Sequence, residues 1–95
     1  MYNKGVSFEW DPDKAEANFS KHGVRFSEAE AVFSDNAAIT IKGDDDANEE
    51  RFVTVGMGVK GRILAVVYCY RGNRIRIISA RTAGRPEREQ YEAQR

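Results

Sequence analysis

The sequence predicts an α+β fold: a short N-terminal strand and two helices packed on an antiparallel β-meander, followed by a C-terminal helix. Three observations predict this order. Helix start and stop signals fill the first third of the chain, three strongly apolar segments with hairpin-length connections follow, and the end is polar. Ninety-five residues can enclose one modest core, so we expect residues 1–95 to form a single domain.

A short, edge-like strand is predicted over 6–10, where apolar residues alternate on one face. A helix should follow over 12–22, because Asp11 is suited to the N-cap, Pro12 to the first helical position and Gly23 to a left-handed stop. The helical period predicts a buried stripe made of Ala15, Asn18, Phe19 and His22.

A second, short helix is predicted from the capping-box spacing of Ser27 and Glu30, ending near Ser34. Residues 38–42 favour a strand. Residues 43–50 are acidic and turn-rich, and we expect a solvated loop there.

Three strands are predicted over 51–57, 62–70 and 74–79, joined by glycine-containing hairpin turns. The middle one is apolar at odd and even positions alike, so it should be the central strand with both faces covered. The last helix, over 86–94, has Tyr91 as its only large apolar side chain and should therefore dock through it or bind a partner.

The charge of the chain is zero in total but unevenly distributed. Residues 1–59 carry six basic and twelve acidic side chains, a balance of −6, whereas residues 60–95 carry nine basic and three acidic ones, a balance of +6. Eight of those nine cations are arginines, whose planar guanidinium groups match phosphate oxygens in pairs. The composition indicates a phosphate-binding region, with a solvated sheet face as the alternative.

Several kinds of site are disfavoured by residue counts. One cysteine and one histidine cannot supply an ordinary zinc site, and Cys69 alone cannot form an intrachain disulfide. Three consecutive acids, Asp44 to Asp46, are more typical of solvated charge than of a metal site, so we expect no metal and no other cofactor. The sequence lacks a signal core and a membrane span, which predicts a cytoplasmic protein.

Cations, carboxylates and a single histidine on a small sheet suit the cleavage of RNA without a metal ion. In that reaction the 2′-hydroxyl attacks the neighbouring phosphate, so the protein supplies a base, a cationic clamp and a proton donor for the leaving 5′-oxygen.

Motifs along nearly the whole chain resemble the BrnT family of toxins from type II toxin–antitoxin pairs. They are Phe8-Glu9-Trp10-Asp11, Lys14, Asn18, Lys21-His22-Gly23-Val24, Phe26, Glu28-Ala29, Glu50-Arg51-Phe52, Gly56, Ile77-Ile78-Ser79-Ala80-Arg81, Ala83, Glu87-Arg88 and Tyr91. The resemblance implies a RelE-like fold and an endoribonuclease that inhibits translation. It also implies a BrnA-like ribbon-helix-helix antitoxin as partner, with DNA contacted only through that antitoxin and no membrane contact. A homodimer is compatible with the sequence.

The resemblance also implies roles for individual residues. Arg81 is the first choice for the transition-state clamp, with a structural ion pair to the acidic half as its alternative. Arg51 is the second choice, and Glu50 beside it is a candidate to orient it or to act as base. His22 is the only histidine of the chain, and an imidazole suits proton transfer, although capping the end of its helix is the alternative role.

Five further basic residues are predicted to contact RNA: Lys21, Arg74, Arg76, Arg85 and Arg88. Trp10 is expected in the core, and Asn18 is expected to bond a backbone group. The sequence departs from the family pattern at Gly84 and Pro86, which weakens the expected RNA binding at that end without preventing the last helix. The rival hypothesis for the whole chain is a non-catalytic module that docks a basic peptide.

Overall fold

The computed structural model describes residues 6–43 and 49–94. Its elements, in chain order, are β1 (Ser7–Glu9), α1 (Pro12–His22), α2 (Phe26–Ala29), a 3₁₀ turn (Glu30–Ser34), β2 (Ile39–Lys42), β3 (Phe52–Met57), β4 (Ile63–Arg71), β5 (Arg74–Thr82) and α3 (Arg85–Ala93). Most of the predicted acidic loop, residues 44–48, lies outside the described residues.

The five strands form one sheet in the order β1-β5-β4-β3-β2, in which β1 is parallel to β5 and all other neighbours are antiparallel. The predictions that β4 is central and that β1 lies at an edge are confirmed. Even-numbered residues of β4, such as Leu64 and Val66, pack with α2 in the larger core cluster. Ala65 faces the other side, where Tyr91 of α3 completes a smaller cluster.

Helix α1 has the predicted bounds. The Asp11 carboxylate accepts a hydrogen bond from the Asp13 amide at 2.9 Å, and Gly23 ends the helix with a φ of 70°. The predicted buried stripe is wrong at Phe19, which is 39% exposed and lies under the guanidinium of Arg25. Asn18 is the buried residue of α1, because the helix lies beside the edge of β5 and contacts it through this side chain.

Helix α2 begins one residue before the predicted capping box. Arg25 occupies its N-cap without a side-chain hydrogen bond, so the Ser27 cap is a wrong prediction. Burial explains the difference, since Phe26 is 2% exposed and enters the core while Ser27 faces solvent. The helix makes one turn and continues as a 3₁₀ turn to Ser34, close to the predicted end.

Helix α3 forms with Gly84 at its N-cap and docks on the sheet as predicted. Tyr91 is 2% exposed, and its hydroxyl donates to the Asp35 carboxylate at 2.6 Å. The same carboxylate oxygen accepts the Met57 amide at 2.9 Å, so Asp35 ties α3 to the end of β3. In the described part of the chain no helix is long and apolar enough to cross a membrane.

Candidate functional site

A β-bulge in β5 decides which side chains share a face of the sheet. The register changes from Val67 opposite Ser79 to Tyr68 opposite Ile77, which leaves Ile78 as an extra residue. In a regular strand, Arg76 and Arg81 would point to opposite faces because their numbers differ by five. The bulge shifts the alternation by one residue, so both fall on the face opposite α2.

Five arginines lie on this face, which we call the arginine face: Arg51, Arg71, Arg74, Arg76 and Arg81. The pairing of β4 with β5 determines the face on which four of these side chains lie. Arg71 is opposite Arg74, Arg76 is opposite Cys69, and Arg81 is opposite Ala65. Arg51 directly precedes β3 and alternates with Val53 and Val55, which face α3. Their side chains are between 29% and 62% exposed, so a ligand can reach them.

Glu9 of β1 links two members of the arginine face. Its carboxylate accepts hydrogen bonds from Arg76 at 2.8 Å and from Arg74 at 3.3 Å. Hydrogen bonding to Arg76, followed by that to Arg74, lowers the pKa of Glu9 below its usual value. Glu9 is therefore ionised and neutralises part of this surface.

Arg81 is held by Glu87 in the first turn of α3. Both guanidinium Nη atoms lie 2.8 Å from the two Glu87 oxygens, a bidentate ion pair. Glu87 also accepts the Gly84 amide at 2.9 Å and so caps the helix. The pair raises the pKa of Arg81 and lowers that of Glu87. Arg81 does form an ion pair, but with the C-terminal helix and not with the acidic half of the chain.

Glu49 approaches two members of the arginine face, Arg51 and Arg71. Its oxygens lie 3.7 Å from Nε of Arg51 and 3.7 Å from Nη2 of Arg71. The predicted neighbour Glu50 is 68% exposed at its side chain and lies 3.6 Å from the ammonium group of Lys42. The described ion pairs of the five arginines thus involve the carboxylates of Glu9, Glu49 and Glu87.

His22 and Lys21 lie away from the arginine face, in a groove between α1 and β5. We call it the edge groove. Its volume is about 220 Å³, and its lining residues include Lys14, Asn18, Lys21, His22, Ile78 and Ser79. His22 is half-buried and Lys21 is exposed. The groove meets the arginine face at Ser79, because Ser79 and Arg81 are alternate residues of β5 on the same face.

The remaining predicted contacts, Arg85 and Arg88, are exposed on α3. Arg85 pairs with Glu89 one helical turn later at 3.1 Å. Both arginines lie next to the end of β5 that carries Arg81.

The structure therefore brings Arg51, Arg74, Arg76 and Arg81 onto one surface and puts His22 and Lys21 at its border. Arg51 and Arg81 are separated by four residues along the strands and by two strand spacings, which amounts to about 16 Å between backbones. The carboxylate partners and Lys14 had no assigned role in the sequence analysis. Glu87 was detectable there, because it stands three residues after Gly84, the spacing of a helix cap.

Comparison with known proteins assigns the family. A family model described as "Ribonuclease toxin, BrnT, of type II toxin-antitoxin system" matches residues 10–87. The chain belongs to the BrnT family. The matched region begins at Trp10, directly after β1, and ends at Glu87, in the first turn of α3. It contains α1 to β5 in full and therefore includes every member of the arginine face.

A solved BrnT structure has a similar fold. The 1.1 Å crystal structure of the Brucella abortus ribonuclease toxin BrnT aligns with a TM-score of 0.62 and 25% sequence identity, over 84% of this chain and 99% of that one. No curated protein sequence matches the chain. Membership of the BrnT family implies an RNA substrate and an antitoxin partner, and the predicted α+β fold is confirmed.

Proposed function

We propose that the protein is a metal-independent endoribonuclease that cleaves RNA and thereby inhibits translation. The observation that carries this proposal is the arginine face: five accessible arginines on one side of the sheet, where the bulge at Ile78 places Arg81 together with the other four. Guanidinium groups bind phosphate oxygens in pairs, and they stabilise the extra negative charge that a phosphate gains in the transition state.

Arg81 is proposed as the clamp on the reacting phosphate. It lies at the end of β5 with 40% of its side chain exposed, and Ser79 links its surface to the edge groove that contains His22. Arg51, about 16 Å away by strand spacing, is proposed to bind another phosphate of the same RNA strand. Lys21, Arg74, Arg76, Arg85 and Arg88 are proposed to contact the RNA backbone around them.

Two groups remain candidates for proton transfer. His22 is closer to Arg81, across Ser79, and Glu50 is next to Arg51 in sequence. Substitution separates them: His22→Gln and Glu50→Gln each remove one titrating group from an exposed or half-buried position. The variant that loses its cleavage rate with its fold retained identifies the group, and the other variant serves as its control.

The test of the proposal is cleavage of a single-stranded RNA by the purified protein in the presence of EDTA. Arg81→Ala should lower the rate at least 100-fold, the loss typical of removing one transition-state donor. Arg25→Ala is the matched control, because Arg25 stacks on Phe19 at the helix-covered side of the sheet. Circular dichroism verifies folding. Wild-type protein that is folded but leaves RNA intact, or that needs a divalent metal, would contradict the proposal and favour a non-catalytic binding module.

We further propose that the antitoxin is BrnA-like, with a ribbon-helix-helix region that provides the only contact with DNA. The acidic balance of residues 1–59 supports a partner with a basic surface. Co-expression with such an antitoxin should restore growth that the toxin alone arrests. Growth arrest that persists although the two proteins are both present and soluble would contradict this pairing.

A further inference from the structure

The edge groove lies where α1 packs beside the edge of β5. Beyond Arg76, the outer edge of β5 has no strand beside it among the described residues, and α1 takes that place. The Asn18 amide donates to the carbonyls of Ala80 at 2.8 Å and Val24 at 3.0 Å, and its oxygen accepts the Ala80 amide at 3.1 Å. Because Asn18 is 6% exposed, these bonds fix the distance between the helix and the strand.

The charges in the groove differ from those of the arginine face. Each arginine of the face has a carboxylate oxygen within 3.7 Å. Lys14, Lys21 and His22 form no ion pair within residues 6–43 and 49–94. Glu16, an acid of the same helix, lines a different depression beside Trp10 and Pro12. A phosphate can therefore approach the two lysines without displacing a carboxylate of the described residues.

Geometry allows both lysines to act on one group. Lys14 and Lys21 are seven residues apart on α1, which separates their backbones by about 10.5 Å. Their flexible four-carbon stems can converge over the floor of the groove. Ser79 also lines the groove and, through its place in β5, adjoins the surface of Arg81.

We propose that the edge groove binds a backbone phosphate of RNA, the one adjacent to the phosphate held by Arg81. Lys14 and Lys21 neutralise this phosphate, and the Ser79 hydroxyl donates a hydrogen bond to it. The RNA strand passes from the arginine face over the edge of β5 into the groove. This inference rests on the proposed function, because it gives the path of the same substrate.

The experiment measures binding of a 2′-O-methyl RNA, which lacks the attacking hydroxyl and is not cleaved. Fluorescence anisotropy over a series of salt concentrations gives the affinity and its salt dependence. The double variant Lys14→Gln/Lys21→Gln is compared with Arg25→Gln/Lys60→Gln, which removes the same charge from positions outside both the groove and the arginine face. Thermal unfolding of each variant verifies the fold.

The groove variant should bind severalfold more weakly than the control, to a similar degree for different RNA sequences. Its plot of log affinity against log salt should be less steep by about 0.7 to 1, the contribution of one phosphate contact. Equal affinities and slopes for the two double variants, with wild-type cleavage intact, would overturn the groove proposal and leave the proposed function standing. A wild-type protein that neither binds nor cleaves RNA would overturn both.

Discussion

Individual carboxylates position the arginines of the arginine face, and Glu87 is the clearest example. Its bidentate bond to Arg81 and its cap on Gly84 join the end of β5 to the start of α3. Arg81 cannot turn toward a phosphate without leaving this carboxylate or carrying it along. Glu87 is thus a positioning residue for the proposed clamp.

Replacing Glu87 by Gln should lower the free energy of unfolding by about 1 kcal/mol, since the pair is partly exposed. Its depressed pKa adds a pH dependence: this stabilisation is present above the ordinary glutamate value of about 4.3 and is lost as the pH falls through the lower folded-state value. Urea unfolding at neutral and acidic pH measures both effects. Glu87→Gln should lose less stability than the wild type on acidification; equal losses would contradict the assignment.

Asn18 is the second residue with a defined role, because its side chain joins α1 to β5 through buried hydrogen bonds. In Asn18→Ala the Ala80 amide and carbonyl lose their partners in a buried place, which should cost about 2 kcal/mol. Asn18→Asp should cost more, because a carboxylate can accept the Ala80 amide but would face two carbonyl oxygens that it cannot satisfy. Thermal unfolding distinguishes them. An aspartate variant as stable as the wild type would contradict this account.

Residue partners were less predictable from the sequence than residue types. Asn18 was expected to bond backbone, and Trp10 was expected in the core, where its ring packs edge-on against Phe26. The partner of Glu9 was not predicted, because Arg76 is 67 positions later and the two meet only through the parallel pairing of β1 with β5. Periodicity defines a face, whereas an ion pair between distant segments requires the tertiary fold.

At the scale of elements, an ion pair adds to the core packing between α2 and β4 by linking Glu28 of α2 to Arg62, the residue before β4. Glu28 is 3% exposed at its side chain, and Arg62 binds it through Nε at 2.9 Å and Nη2 at 2.6 Å. Nη2 of Arg62 also donates to the carbonyl of Gly23, the residue that ends α1. One arginine directly before β4 thus bonds both to α2 and to the residue that ends α1.

The two substitutions of this pair should have unequal effects. Arg62→Ala leaves a buried carboxylate without its partner and should cost about 2 to 3 kcal/mol. Glu28→Gln leaves Arg62, which is 37% exposed and can be hydrated, so it should cost about 1 kcal/mol. The pKa of Glu28 is lowered chiefly by its hydrogen bond to Arg62, so the stabilisation from the pair is lost on acidification below about pH 4.3. Chemical denaturation of both variants measures the difference, and a larger loss for Glu28→Gln would contradict it.

The elements themselves followed the local signals in the sequence. Capping residues gave the bounds of α1, and the apolar pattern of β4 gave its central position. The bulge at Ile78 was not predicted, because its cause is the pairing of β5 with β4 and not any glycine or proline in the strand. That one unpredicted residue decides whether Arg76 and Arg81 share a face, and hence the shape of the candidate site.

At the scale of the whole molecule, carboxylates partly neutralise the positive charge of the arginine face. Within residues 6–43 and 49–94, the five guanidinium groups of the arginine face pair with three carboxylates, and Glu9 and Glu49 each pair with two arginines. Arginines held in this way keep their geometry while their field is reduced, which limits indiscriminate binding to polyanions. The acidic balance of residues 1–59 has the same effect at longer range.

Glu9→Gln should therefore strengthen RNA binding. The substitution leaves an oxygen that can accept from Arg76, but it removes the charge with which a phosphate competes for Arg74 and Arg76. We expect a severalfold lower Kd for a 2′-O-methyl RNA at low salt, with a smaller gain at high salt because screening weakens both states. Glu16→Gln is the matched control, since it removes the same charge from the depression beside Trp10. An unchanged or higher Kd for Glu9→Gln would contradict this prediction. It would indicate that the Glu9 carboxylate orients Arg74 and Arg76 for RNA binding and is not displaced by a phosphate.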